Sequence, residues 1–482
     1  MYETMLASLL KATWETIYMV FSASLISVTC GLVLGCLLFI TAKQQSISNA
    51  LLNRSLGICV NIVRSLPFII LMIMIIPLTH WIVGTSIGTN AAIVPLAIAA
   101  IPFFARVCEN ALAEVPYGLI EAANSMGAST WHIITKVLLP ESMPALIRGA
   151  TLTIIGLIGY SAMAGVVGGG GLGELAINYG YQRFNMVVML ETVIILLAMV
   201  QVIQMLGDKL AKQRHVKSVL VISGICGVFL LIYQVWPTTL RQEGTLRVGV
   251  MSGWSEEVAK VAAQVAEQQY GLRVQVVPFS DYVQPNTALN NHSIDINIFQ
   301  HLPYLQAQMQ AHHYQLISIA KTFVYPMGFY SKTVQHISQL KNAAIVAIPN
   351  DPSNGSRALL LLQKAGLIKL KPGVNTLATV HDIVLNNRRL QFKLLDAAQL
   401  PRSLGEADLV AITNDFITPS GLTIQQAIIK EGSDSLYANL IVVREQDRLN
   451  PAFKKFIAAM HSEPVMQETR KIFPHGAAIP AW

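Results

Sequence analysis

Arg357 is the residue whose type and setting most directly imply chemistry. It follows Pro352-Ser353-Asn354, a run that reads as the start of a helix, and its guanidinium offers a planar fork of N–H donors matched to a carboxylate. Two other groupings offer less. Gly168-Gly169-Gly170-Gly171 could expose backbone N–H groups to a phosphate, but it follows a long apolar run and lacks the Lys-Ser/Thr of a phosphate-binding loop. A close-packed turn, in which glycine lets backbones approach, is the expectation there. His292, His301, His312 and His313 fall in one stretch, yet no cysteine or carboxylate set completes a metal-ligand spacing around them. The chain has no Walker A sequence, and neither a Ser-His-Asp set nor paired carboxylates stand out. It therefore reads as a binder rather than an enzyme, with no metal or cofactor of its own.

The elements that must position these residues are of two kinds. Of 482 residues, 53% are hydrophobic and only 13% charged, and the apolar runs concentrate between residues 17 and 236. Crossing a bilayer takes about 20 apolar residues. Six candidate spans result: Ile17 to Thr41, Leu66 to Val83, Ala91 to Phe104 with its flanks, Leu146 to Val167, Met186 to Leu206 and Val219 to Trp236. Pro95 and Pro102 interrupt the third. Lys43, Arg54, Arg106, Lys136, Arg148, Lys209, Lys212, Arg214 and Lys217 flank the spans on one side, against Lys11 and Arg183 on the other up to span five. The basic side is cytoplasmic. The N-terminus is thus expected outside, and span six returns residues 245–482 to the external face. Cys30, Cys36, Cys59, Cys108 and Cys226 all lie in or beside spans, so the exported part depends on its core and not on disulfides. The net charge of +7 is spread over loops and a solvated domain, which argues against a nucleic-acid partner.

Between spans three and four, Glu121-Ala122-Ala123 leads to Gly127, and Leu139-Pro140 follows 12 and 13 residues after that glycine. Gly127 can supply a left-handed turn, and an amphipathic helix from Ser129 is expected to stop before Pro140. This order resembles the permease subunits of ATP-binding-cassette importers. The resemblance makes the segment a coupling helix pair, with Glu121, Ala122, Ala123, Gly127, Leu139 and Pro140 facing a groove of a partner ATPase. Arg64-Ser65-Leu66-Pro67-Phe68, Ile101-Pro102-Phe103-Phe104-Ala105-Arg106, Gly168 to Glu174 and Tyr179 to Phe184 narrow it to methionine-type permeases over residues 1–213. That family implies five spans per subunit, a homodimer in the bacterial inner membrane, and ATP and Mg bound by the partner ATPase dimer. Residues 214–244 hold the surplus sixth span and a tether. Its eight residues from Pro237 reach at most roughly 26–29 Å, and Cys226 fails as a lipidation site because Ile225 precedes it.

From Leu246 the chain alternates strands and helices: strands at Leu246 to Val250, Arg273 to Val277, Ile294 to Ile298 and Ala344 to Ile348, a helix over Glu256 to Tyr270, and returning segments at Asp408 to Ile412 and Asn439 to Val443. Two α/β lobes joined by crossovers, closing around a ligand, are expected. Asp281-Tyr282-Val283-Gln284-Pro285-Asn286, Phe299 to Leu305, Thr322 to Pro326, Asn350 to Leu359 and Pro401 to Leu404 resemble the methionine-binding proteins of the NlpA lipoprotein family over residues 245–482. By that resemblance the site draws on Tyr282, Phe299, His301, Tyr304, Tyr325, Arg357, Asn414 and Asn439. Aromatic faces suit a thioether, and Arg and Asn side chains suit the two charged groups of L-methionine or a close analogue. Gly355-Ser356 before Arg357 and Asp415-Phe416 after Asn414 depart from the commoner family pattern. The whole then reads as an α-helical membrane permease with one extra span, followed by a bilobed α/β periplasmic binding domain: one subunit of a methionine importer. A ligand-gated receptor or channel, or an importer of another small amino acid or methionine-containing peptide, is the alternative.

Overall fold

The computed structural model describes residues 2–42, 48–166, 168–182, 185–212, 245–374, 376–432, 437–473 and 478–482. The sixth span, the tether and Cys226, with Lys43, Arg183, Phe184, Arg214 and Lys217, lie outside them. The chain divides into two compact units, Met1–Ile177 with Met186–Arg241 and Asn178–Asn185 with Gln242–Trp482.

Among the described residues of the first unit, four helices are long and apolar enough to cross a membrane: Met5–Thr41, Thr89–Ala113, Thr130–Gly165 and Met186–Lys212. Helices Tyr2–Thr41 and Thr89–Ala113 pack closely because Gly31 and Gly35, four residues apart, leave one face bare. A Cβ on Gly35 would fall 2.5 Å from Cys108 Cβ and 2.6 Å from the Ala105 carbonyl. Small residues at this spacing let apolar helices gain dispersion contacts that lipid would otherwise supply. Thr89–Ala113 runs unbroken through Pro95 and Pro102, both buried in it.

Two expectations are corrected. The apolar run Leu66 to Val83 is not one span. Pro67 forces Leu66 into an extended conformation (φ −79°, ψ 129°), so helix Ala50–Ser65 ends there and Phe68–Met74 leaves it at 105°; a second break at Ile75 precedes Ile76–Val83. If the bent pair Ala50–Ser65 and Phe68–Met74 counts as one span, the described residues hold five. The helix from Thr130 also does not stop before Pro140. A π-helical turn at Ile134–Leu138, in which Leu139 N–H reaches the Ile134 carbonyl, carries it into Leu139–Val166, through Pro140 and Pro144. The wider turn is where the helix accommodates a residue with no N–H to donate.

The described residues of the second unit hold two mixed sheets and a separate antiparallel pair, β7 (Lys369–Leu370) with β8 (Ile383–Leu385). In the first, β1 (Leu246–Met251) pairs in parallel with β2 (Val274–Phe279) and β3 (Ile296–Ile298), and β12 (Ala438–Arg444), β4 (Leu316–Val324) and β13 (Ile479–Pro480) continue it antiparallel. In the second, β6 (Ile345–Pro349) lies parallel between β9 (Gln391–Leu395) and β10 (Leu409–Ile412), with β5 (Gly328–Tyr330) and β11 (Ile429–Lys430) antiparallel beyond. Strands β6, β10 and β12 are almost wholly buried, as the central strands of a sheet covered on both faces must be. The chain changes sheets twice, between β4 and β5 and between β11 and β12. Two α/β lobes with two crossovers result.

Candidate functional site

The C-terminal ends of the parallel strands determine what meets in the cleft. Ser255 follows β1, Tyr282 follows β2, and Phe299 and His301 follow β3; from the second lobe, Asn354 and Arg357 follow β6 while Asn414 and Asp415 follow β10. Ligands of open α/β sheets sit outside these ends. Tyr325 comes from one crossover, and Asn439 stands at the end of the other on β12. A cleft with about 390 Å³ of empty space, open solvent included, is lined by all eight residues expected from the sequence, and by Gln300, Asn354, Thr413 and Asp415.

Arg357 sits on helix Pro352–Lys364, whose N-cap Asp351 accepts from Asn354 N–H at 2.8 Å. Gly355 lets this helix approach β6: a Cβ there would lie 2.9 Å from the Pro349 carbonyl. Arg357 is 5% exposed. Its Nε donates to Glu431 Oε1 at 2.7 Å, and its Nη2 to Glu431 Oε2 at 2.5 Å and to the Tyr325 carbonyl at 2.9 Å. The guanidinium lies 4.4 Å from the Tyr437 ring centre. Nη1 makes no hydrogen bond among the described residues, so one edge of the fork stays open.

The aromatic wall is a cluster. Tyr282 and Phe299 stack at 6.1 Å, Tyr304 meets Phe299 edge-on at 5.8 Å, and Phe416 meets Tyr282 at 6.1 Å. Tyr304 donates its hydroxyl to the Tyr282 carbonyl at 2.7 Å. Beneath Phe299 and His301, the amides of Asn286, Asn297 and Gln300 bond one another at 2.6–3.0 Å and fix the loop after β3. Tyr325 packs between Phe323 and Phe473, at 6.0 and 5.2 Å.

Hydrogen bonds from the first lobe close onto the second. Asp415 accepts from Ser255 Oγ at 2.8 Å and from Tyr282 OH at 2.9 Å. His301 Nδ1 accepts the Tyr304 N–H, so Nε2 carries the proton that faces Asn354 Oδ1 at 3.2 Å. Burial, aided by the charge of Arg357, lowers the His301 pKa to about 3, so the ring is neutral at ordinary pH. Burial raises the Asp415 carboxyl above its ordinary range, while bonds from Ser255 and Tyr282 and the Arg357 charge pull it back. Asn414 Nδ2 is buried with no hydrogen-bond partner among the described residues.

Asp415 and Glu431 are the charged residues that sequence reasoning missed. Asp415 adjoins Asn414 and already marked a departure from the family pattern. Glu431 gave no signal in the sequence, because it meets Arg357 from 74 residues away.

The other candidate surface lies in the first unit. Helix Tyr117–Ser125 ends at Gly127, which is left-handed (φ +76°) as expected, and Ser129 caps the next helix by accepting the His132 N–H. Ile120, Ile133 and Leu138 turn into a core with Leu112 and Val115, and Ala123 packs against it. Glu121, Ala122, Gly127 and Pro140 face outward, with Leu139 half-buried. Met126, 87% exposed, and Trp131, 70% exposed, lie in the same segment. At the glycine run, Gly170 N–H goes to Glu174 at 2.8 Å, Gly171 N–H to Glu15 at 2.9 Å and Leu172 N–H to Thr16 Oγ1 at 2.8 Å. Carboxylates and a hydroxyl occupy the donors that a phosphate would use, and the run is a close-packed turn.

Comparison with known proteins separates the same two parts. The family described as binding-protein-dependent transport system inner membrane component matches residues 27–214, and NlpA lipoprotein matches residues 246–482. A probable D-methionine transport system permease protein MetI of Vibrio cholerae is 54% identical over 205 residues, 42% of this chain and 91% of that protein. The D-methionine-binding lipoprotein MetQ of Salmonella typhi is 47% identical over 240 residues, 49% of this chain and 88% of that protein. A solved nutrient-binding protein from Burkholderia cenocepacia bound to methionine is 42% identical, with 49% of this chain and 100% of that one covered and a TM-score of 0.48.

Proposed function

Since the chain belongs to the binding-protein-dependent inner-membrane permeases in its first half and to the NlpA lipoproteins in its second, we propose that it is the transmembrane subunit of an ATP-driven methionine importer carrying its own external substrate-binding domain. The relatives of its two halves are named for the same substrate. The observation that carries the reading is the cavity itself. Its open guanidinium edge on Arg357 suits a carboxylate, and its walls of Phe299, Tyr304 and Tyr325 suit a polarizable thioether.

Two copies of the chain form the channel and two copies of a partner ATPase bind ATP and Mg. The outward face of Glu121, Ala122, Gly127 and Pro140 seats on that partner, with exposed Met126 and Trp131 as its apolar anchors. Residues 245–482 work on the external side, tethered through the extra span. This fixes two binding domains per channel and holds each at an effective concentration on the order of millimolar.

Calorimetry of the purified full-length chain tests the substrate: L- or D-methionine binds, and Arg357→Ala abolishes binding. Absence of heat with both enantiomers and with methionine-containing dipeptides overturns the reading.

A further inference from the structure

Arg357 is a weaker cation than its position implies, because Glu431 takes two of its donors within the protein. Asp415, the other carboxylate at the cleft, has no such partner among the described residues, where it bonds only neutral hydroxyls, one to each oxygen, from Ser255 and Tyr282. A carboxylate presents about four lone-pair sites, so each oxygen keeps one free. A half-buried anion without its own cation still carries a desolvation cost, and the cost is met by a cationic group brought to it.

We propose that Asp415 accepts the ammonium group of the ligand and makes a free α-ammonium a condition of tight binding. The inference rests on the amino-acid reading of the cleft given above. The wall holds both halves of what a zwitterion needs: unpartnered donors on Arg357 Nη1 and Asn414 Nδ2, and an acceptor on Asp415. A carboxylate lacking the ammonium would add a third negative group beside Asp415 and Glu431. Repulsion and the uncompensated Asp415 then both oppose its binding.

Asp415 also receives its two hydrogen bonds across the lobes, so a role in closure alone must be separated from ammonium capture. Loss of a latch weakens all ligands alike, whereas loss of an ammonium acceptor removes the preference between them. The test is calorimetry on the full-length chain in detergent with methionine, 4-(methylthio)butanoate, in which hydrogen replaces the ammonium, and N-acetylmethionine. The native chain binds methionine on the order of 10- to 100-fold more tightly than either analogue. Asp415→Asn loses most of that preference. A native chain that binds 4-(methylthio)butanoate as tightly as methionine overturns the proposal without any variant. Asp415→Asn that retains the full preference overturns it too, and leaves the amino-acid reading standing. A native chain that binds none of the three overturns that reading and the proposal together.

Discussion

The hydroxyls inside the long apolar helices and the polar side chains of the cleft are satisfied in opposite ways. In the membrane unit, Ser24 donates to the Val20 carbonyl, Thr151 to Ile147, Thr153 to Gly149 and Ser142 to Leu138, each four residues back on its own helix. In the binding unit the bonds that matter cross great distances in sequence: Arg357 to Glu431, Tyr282 to Asp415, Ser255 to Asp415 and His301 to Asn354. Lipid offers no partner for a polar group, so local back-bonding is the safe solution, and specificity of helix packing passes to small residues. A cleft between lobes must recognise a charged molecule and close on it. Long-range polar pairs do both.

This contrast predicts a graded set of effects. The largest belongs to Glu431→Ala. Removing one partner of a buried pair leaves Arg357 uncompensated and lowers stability by about 3–5 kcal/mol, which thermal unfolding of the purified chain measures. Glu431→Ala that melts with the native chain would show the pair to be dispensable.

Next comes protonation. His301 has a folded pKa of about 3 against an ordinary value of 6.5. The unfolded chain therefore binds the proton first, and stability conferred by the neutral ring is complete above about pH 6.5 and falls by several kcal/mol as pH drops toward 3. Asp351 and Asp415, raised by burial, act in the opposite direction below their folded values. They are present in both proteins, so the difference between the native chain and His301→Asn isolates the ring. Their unfolding curves, compared from pH 7 to pH 4, should converge on acidification.

In the membrane unit the sensitive position is a glycine. Gly35→Ala puts a Cβ against the Ala105 carbonyl and Cys108, at a cost of about 1–3 kcal/mol from overpacking, read as lowered thermal stability in detergent. Ser24→Ala removes only a local bond and falls within about 0.5 kcal/mol. Equal effects of the two would erase the distinction drawn between close helix packing and local back-bonding in this unit.

How much the sequence reveals follows the same division. The strands of the binding unit are legible because buried strands read as short apolar runs, and Arg357 because Asp351-Pro352 is a helix start. The cleft residues cluster because they follow parallel strands. Glu431 was not legible: it meets Arg357 from 74 residues away, across a topology that composition does not encode. Asp415 stood beside an expected residue, but the hydroxyls that bond it come from another lobe. In the membrane unit, counting apolar residues joined Leu66 to Val83, although the constraint Pro67 places on Leu66 breaks the run. At Pro140 the opposite error arose. The proline rule predicts a stop, and a π-helical turn ahead of it lets the helix continue.

The central claim is that one chain supplies both channel and binding domain. Uptake of radiolabelled methionine into proteoliposomes containing this chain and the ABC ATPase proposed as its partner, with no separate binding protein added, tests it most directly. The account predicts ATP-dependent uptake that Arg357→Ala abolishes. Uptake that appears only when a separate binding protein is supplied, or that survives Arg357→Ala unchanged, would contradict it.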